Sequence, residues 1–390
     1  MILHITPDLD PQNGGIVSAV MSLANEQLLL GHDVSIATTS RGTTQKSFKN
    51  KVRLYSYTCN MSAWRFSVDL TIQLPKLIKK ADIVHLHGIW DYPTLAGALV
   101  SRRLDKPYIV TPHGMLDQWS LSQRAWKKNI YLFFFGKTIL KNASAIHFTS
   151  YPELAKSSFY NLNTKAFVSP LGLSLKAFAN LPGPSVFKEK HPGLLGKRNI
   201  LFLSRIHYKK QPELVMEACK KIFQEHRDVM LVLAGSGDSE YVENLKRMAE
   251  HLGIRDRVFF AGGLNYEEVK EALCAADVFV LPSLGENFCM SILEAMFVGC
   301  PVVISNKIDL AAEIQESEAG LVGPSTAEYI AEAIERILKD VDLRNKLSLN
   351  ARTLVLRKYA LDNAAQALDH VYEDVIQQKK TSPAWQVLSG

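Results

Sequence analysis

The chain has 390 residues, more than one hydrophobic core usually supports, so two domains are expected. A composition of 47% hydrophobic and 22% charged residues is that of an ordinary globular protein and excludes a disordered chain or a crosslinked mini-scaffold. The net charge of +6 is unevenly spread: residues 1–180 hold 20 Lys and Arg against 10 Asp and Glu, and the remainder holds 25 against 29.

Met1 leads directly into Ile2-Leu3-His4-Ile5-Thr6, a strand pattern with neither the basic nor the apolar region of a signal peptide. No apolar run approaches the roughly 20 residues of a membrane span. The five cysteines, Cys59, Cys219, Cys274, Cys289 and Cys300, form no CxxC pair and mostly sit in apolar segments, which fits a reducing compartment and argues against a structural zinc site. The expected address is the cytoplasm.

After the first strand come Asp8-Leu9-Asp10 and then Asn13-Gly14-Gly15, followed by a helix pattern from Ile16 to Leu30 that closes at Gly31. A glycine pair at a strand-to-helix turn either lets backbone approach a ligand or makes a plain tight turn. Strands are predicted over Asp33–Thr38, Ile83–Leu86, Tyr108–Thr111 and Ala145–Thr149. A second run covers Asn199–Leu203, Met230–Ala234, Val258–Ala261, Asp277–Leu281 and Pro301–Ile304. Short apolar strands alternating with helices mean parallel sheets covered on both faces, so the fold class is α/β with two Rossmann-like domains. Ser174–Gly193, with Pro182, Gly183, Pro184 and Pro192, is the linker candidate. Two aromatic stretches in the basic half, Trp64-Arg65-Phe66 and Trp126 to Phe135 with Lys127 and Lys128, suit an anionic membrane surface or an anionic lipid-linked acceptor; a core helix with snorkelling lysines is the alternative.

In open parallel sheets the ligand lies beyond the carboxyl ends of the strands. Arg205 and Lys210 follow the strand ending at Leu203, and two cations there suit a diphosphate, with Lys209 a competitor for the second position. His113 ends the segment Tyr108-Ile109-Val110-Thr111-Pro112-His113-Gly114, where it either serves a ligand or caps a turn. His85 and His87 share one face of a strand and could be two metal ligands, but no third ligand is evident, which leaves cleft lining or acceptor contact. Ala234-Gly235-Ser236-Gly237-Asp238 and Gly262-Gly263-Leu264 are strand-end turns. Leu281 to Val303 reads as strand, loop, helix, with Glu286 in the loop and Glu294 in the helix. A helix starting near Asn287 or Phe288 would turn its free amides toward an anion, leaving Glu286 and Glu294 to accept hydrogen bonds from neutral hydroxyls.

Two glutamates with seven residues between them, Glu286 and Glu294, followed by Ala295 and by Gly299-Cys300-Pro301-Val302-Val303, resemble the E-x7-E signature of the retaining glycosyltransferases of family 4. Arg205 and Lys210 resemble the family's R-x4-K element, and Thr111-Pro112-His113-Gly114 its T-x-H-G site. The resemblance implies a GT-B fold, two Rossmann-like domains with parallel sheets facing a central cleft. The domains would be 1–178, joined by a final helix of about Leu361 to Gln378 (361–380), for the acceptor, and 179–360 for a nucleotide-sugar donor. It further implies catalytic roles for His113 and Glu286, and donor contacts from Gly14, Gly15, Arg205, Lys210, Leu264, Asn287, Phe288, Cys289, Met290 and Glu294. The usual E-G-F-G reads Glu286-Asn287-Phe288-Cys289 here, which bears on donor preference.

The expected reaction is transfer of a hexose, glucose by family frequency, from a UDP-sugar to a saccharide or lipid-linked acceptor in exopolysaccharide biosynthesis. No metal or other cofactor is expected. The D-x-D of Asp8 to Asp10, which holds manganese in a different glycosyltransferase fold, is expected to be an acceptor loop or a turn. Expected partners are the UDP-glucose donor, the acceptor and an anionic membrane at the inner face of the plasma membrane, with no nucleic acid. The alternatives are a nucleotide-sugar epimerase of the same fold and a non-catalytic sugar-nucleotide-binding protein. An NAD dehydrogenase is disfavoured, because the first turn lacks G-x-G-x-x-G.

Overall fold

Two parallel α/β units make up the chain in a computed structural model that describes residues 1–10, 15–41, 45–49, 52–117, 125–157 and 164–381. One unit is Met1–Gly172 with the described chain from Leu361 onward; the other is Leu173–Ala360. Among the described residues, no helix is long and apolar enough to cross a membrane.

The first unit holds strands β1 (Ile2–Ile5), β2 (Val34–Ser40), β3 (Gln45–Lys49), β4 (Val52–Thr58), β5 (Ile83–His87), β6 (Tyr108–Thr111), β7 (Ala145–Phe148) and β8 (Ala166–Val168). They lie in the order β3-β4-β2-β1-β5-β6-β7-β8, parallel except for β3, which runs antiparallel to β4. The central strands β1, β5 and β6 are buried throughout, and this produces their unbroken apolar runs. The helix Leu361–Lys380 contributes Ala365, Leu368, Tyr372 and Val375 to a core layer with Ile2, Ile83, Ile109 and Ala145.

The second unit holds β9 (Arg198–Leu203), β10 (Val229–Ala234), β11 (Val258–Gly262), β12 (Val278–Leu281), β13 (Val302–Ser305) and β14 (Leu321–Gly323). Their order is β11-β10-β9-β12-β13-β14, with every pairing parallel.

Three expectations change here. The Pro-rich stretch 174–193 is no free linker: Phe178 and Phe187 are buried in the second unit's core, and Val186–Lys190 is a helical turn. Two aromatic anchors outweigh the local proline content. Strands β3, β4, β8 and β14 lie outside the predicted set. β8 and β14 have three residues each, and the β3-β4 pair is rich in Ser, Lys and Tyr, so neither shows an apolar run. The aromatic stretch is not a core helix: Trp126 is 66% exposed, Phe133 70% and Phe134 62%, while Leu132, Ile139 and Leu140 face inward. A single π-helical turn, Leu132–Gly136, joins Ala125–Tyr131 to Lys137–Lys141.

Gly172 sits where a Cβ would lie 2.2 Å from Leu361 Cα. Gly172→Ala is expected to destabilise the protein by about 2 kcal/mol through overpacking against backbone, read as a lower urea midpoint at unchanged slope.

Candidate active site

The second unit ties its strand ends together with backbone hydrogen bonds. Ser204 N donates to Ala234 O at 3.1 Å, Gly235 N to Gly262 O at 2.7 Å and Ile206 N to Ser236 O at 2.8 Å. The approach requires Gly235, with φ +142°, because a Cβ there would lie 1.8 Å from Ser204 O. This stitching sets the loop that carries Arg205, which is exposed, and the 3-10 turn Tyr208–Lys210. The loop after β12 closes over the same turn: Leu284 N donates to Lys209 O at 2.8 Å, and Ser305 Oγ donates to Ser283 O at 2.5 Å.

Glu286 and Lys210 meet there. Lys210 Nζ lies 2.7 Å from Glu286 Oε1, and Ser283 Oγ donates to the same oxygen at 2.6 Å. Both side chains are largely covered, 11% and 14% exposed. Asp309 N donates to Glu286 O at 2.9 Å, which holds the glutamate's backbone in place. Lys210, expected with Arg205 to face a diphosphate, is thus already paired with a carboxylate. It also neutralises the carboxylate that would otherwise repel an anion, and its ammonium keeps two further donor protons.

The helix after Glu286 is Met290–Val298, with Cys289 as its N-cap, so it starts later than Asn287 or Phe288. Phe288 packs against the core with its ring 5.7 Å from that of Tyr359, and Cys289 is buried, which keeps this segment extended. Asn287 and Met290 are half-buried. Glu294 falls in the second turn of the helix, and burial pushes its carboxyl up to about 7. Its charge adds to the upward push on the Tyr266 phenol, so the two groups are neighbours. Leu264 is half-buried against the same core, in the loop after β11.

Sequence matches place this site in a family. Residues 186–354 match the profile described as Glycosyl transferases group 1, and residues 13–174 that of Glycosyltransferase Family 4. A putative glycosyltransferase of Bacillus subtilis, YtcC, is 31% identical over 278 residues, 67% of each chain. The chain belongs to glycosyltransferase family 4. The glycosyltransferase MJ1607 of Methanocaldococcus jannaschii is 37% identical, but the match spans only 45% of each protein. The fold is GT-B, as in sucrose-phosphate synthase from Thermosynechococcus elongatus, with a TM-score of 0.78 at 22% identity over 97% of this chain and 99% of that one. Anabaena Alr3699/HepE in complex with UDP and glucose gives 0.78 at 18% identity over 96% and 99%.

In the first unit of this glycosyltransferase, Gly15 opens the helix Gly15–Leu29 and is exposed; Gly14 lies outside the described residues. His113 follows β6 in a left-handed turn, φ +53°, with Gly114 at +75°. Glu153, which the sequence reading missed, clamps that turn. Its Oε1 accepts from Gly114 N at 2.6 Å and its Oε2 from Thr149 N at 2.7 Å. The signal was legible in Ser150-Tyr151-Pro152-Glu153, an N-cap pattern at a strand end. His4, Gln27 and His147 were missed as well. They join His85 and His87 in buried hydrogen-bonded groups, so these two histidines line the interior of the unit.

Glu294 carries a stability signature. Its folded pKa lies above the unfolded value, so the protonated form stabilises the fold, and that contribution disappears as pH rises from about 4.5 to about 7. Glu294→Gln is expected to raise stability at pH 8 by about 2 kcal/mol and to change it little at pH 4.5, measured by urea denaturation at both pH values.

Proposed function

We propose that the protein is a retaining hexosyltransferase that moves a sugar, glucose favoured, from a UDP-sugar to a saccharide or lipid-linked acceptor in polysaccharide assembly. The observation that carries this reading is the Lys210–Glu286 pair held by Ser283 at the carboxyl edge of β9 and β12. It sets a cation for phosphate beside a carboxylate for sugar hydroxyls. Arg205 and the free amides at the start of Met290–Val298 add positive potential for the diphosphate. Glu294 takes the ribose hydroxyls, with Leu264 near the base and Asn287 to Met290 forming the backbone around the donor. His113 takes a sugar hydroxyl.

In the reaction the bond between the anomeric carbon and the diphosphate oxygen breaks. The acceptor hydroxyl forms its bond on the same face, and its proton goes to the leaving phosphate. The chain's residues bind and neutralise charge; no protein nucleophile and no metal are required. Support for the substrate class comes from relatives: a 28% identical Escherichia coli protein is named as a galactosyltransferase using UDP-Gal and GlcNAc-diphosphoundecaprenol, and a 24% identical Streptococcus pneumoniae protein as alpha-monoglucosyldiacylglycerol synthase.

Both names denote lipid acceptors, which agrees with the exposed Trp126, Ile130, Phe133 and Phe134 in the basic half of the chain. We therefore place this face on an anionic bilayer, with the protein at the inner surface of the plasma membrane.

Calorimetric titration of UDP, GDP and NAD without added metal tests the donor site. One nucleoside diphosphate should bind, and Arg205→Ala should weaken it about tenfold or more, as expected for a lost charge-assisted contact. Binding of NAD alone would sink the assignment. Incubation of the donor with and without acceptor lipid separates transfer from epimerisation. In co-sedimentation with vesicles containing anionic lipid, the double variant Phe133→Ser/Phe134→Ser should lose most binding; binding equal to wild type would remove the membrane face from the proposal.

A further inference from the structure

The first unit contains five histidines in two hydrogen-bond paths, one from Ser169 to Tyr372 and one from Gln27 to His113, and the proposed transfer uses only the last of them. His4 on β1 pairs in register with His85 on β5, His87 lies two residues along on the same face, His147 is on β7, and His113 follows β6. Burial holds all five below the ordinary histidine range, His4 and His147 at about 4 and His113 at about 3, so each ring is neutral near pH 7. A neutral imidazole has one donor and one acceptor, so fixing one hydrogen bond fixes the next.

The first path is anchored at a group with no choice. Ser169 O can only accept, so His147 Nε2, 2.8 Å away, carries its proton. His147 Nδ1 then accepts from the Thr111 hydroxyl at 2.9 Å. Thr111 Oγ1 must in turn accept from His85 Nε2 at 2.6 Å, and His85 Nδ1 from the Tyr372 hydroxyl at 2.6 Å. The tyrosine oxygen is left with lone pairs only. The second path starts at Gln27, whose Nε2 is buried with no hydrogen-bond partner among the described residues. Gln27 Oε1 faces His4 Nε2 at 2.7 Å and makes it the donor. His4 Nδ1 accepts from His87 Nε2 at 3.0 Å, and His87 Nδ1 accepts from His113 Nε2 at 3.1 Å.

His113 Nδ1 ends the second path as a bare lone pair, buried and without a hydrogen-bond partner among the described residues. An unsatisfied buried acceptor costs free energy that a donor from a ligand would recover.

We propose that the second path, running from Gln27 through His4 and His87, locks His113 in its Nε2–H tautomer, so that Nδ1 can take only a hydroxyl donor and rejects a phosphate oxygen. Gln27, His4 and His87 are positioning residues that act through His113. The hydroxyl half of the proposal rests on the hexosyltransferase reading; the tautomer half does not. A metal among His4, His85 and His87 is the competing use, because their nitrogens lie close enough to share an ion. Every one of those six ring nitrogens already has a hydrogen-bond partner on one of the two paths, and an ion would have to break several of them.

Long-range proton–nitrogen NMR of the full chain with labelled histidine, near pH 7.5 and without ligand, reads the tautomer of each ring directly. The expected spectrum has five neutral rings protonated at Nε2, with His113 assigned by its loss in His113→Asn. A His113 ring protonated at Nδ1, or an averaged mixture, overturns the proposal. In Gln27→Met, His113, His87 and His4 should lose the single-tautomer signature while His85 and His147 keep it; an unchanged His113 signal overturns the relay. If that variant fails to fold, the wild-type spectrum still decides. A His113→Ala protein with wild-type donor affinity and turnover overturns the sugar contact alone, and the tautomer result stands apart from it.

Discussion

Polar groups that gather at the buried carboxyl ends of parallel strands are cut off from water, and each must find its partner inside the protein. That constraint shapes both units, because an unpaired buried polar group costs a large fraction of a domain's marginal stability. In the second unit the partners are backbone groups of neighbouring loops, brought close enough by Gly235 for Ser204, Ser236 and Gly262 to interlock. In the first unit they are side chains, and the solution is two paths of imidazoles, hydroxyls and one amide.

The two solutions treat charge differently, for a physical reason. The histidines have no carboxylate on their paths, so burial removes their protons and leaves dipoles whose order is set by hydrogen-bond valence. Lys210 keeps a carboxylate, Glu286, at contact distance, and a hydroxyl from Ser283 shares that carboxylate. Burial thus leaves neutral rings in one unit, and the other keeps a charge pair. Trp126, Phe133 and Phe134, in the half of the chain with excess positive charge, are exposed, and no core packing among the described residues covers them.

Much of the candidate site in the second unit was legible in order along the chain. Strand β9 followed by Arg205 and Lys210, and strand β12 followed by Glu286 and Glu294, are local patterns, and local patterns survive in sequence. The start of the helix at Met290 was misjudged, because burial of Phe288 and Cys289 holds that segment extended and no residue-by-residue preference reveals it. The same holds for Ser174–Gly193, where proline content suggested a linker and two buried phenylalanines decide otherwise.

The amino-acid sequence by itself determined the alternation of strands and helices, the strand ends that bear cations and carboxylates, and the family signature, because each depends on residues within a few positions of one another. Only the tertiary structure decided which groups pair. Lys210 finds Glu286 across 76 positions, and His4 reaches His87 across 83. Ser169 and Tyr372 meet one histidine path from two distant parts of the chain. Periodicity reports which face of an element is buried, but not which neighbour it meets there, and the chemistry of this protein lies in those meetings.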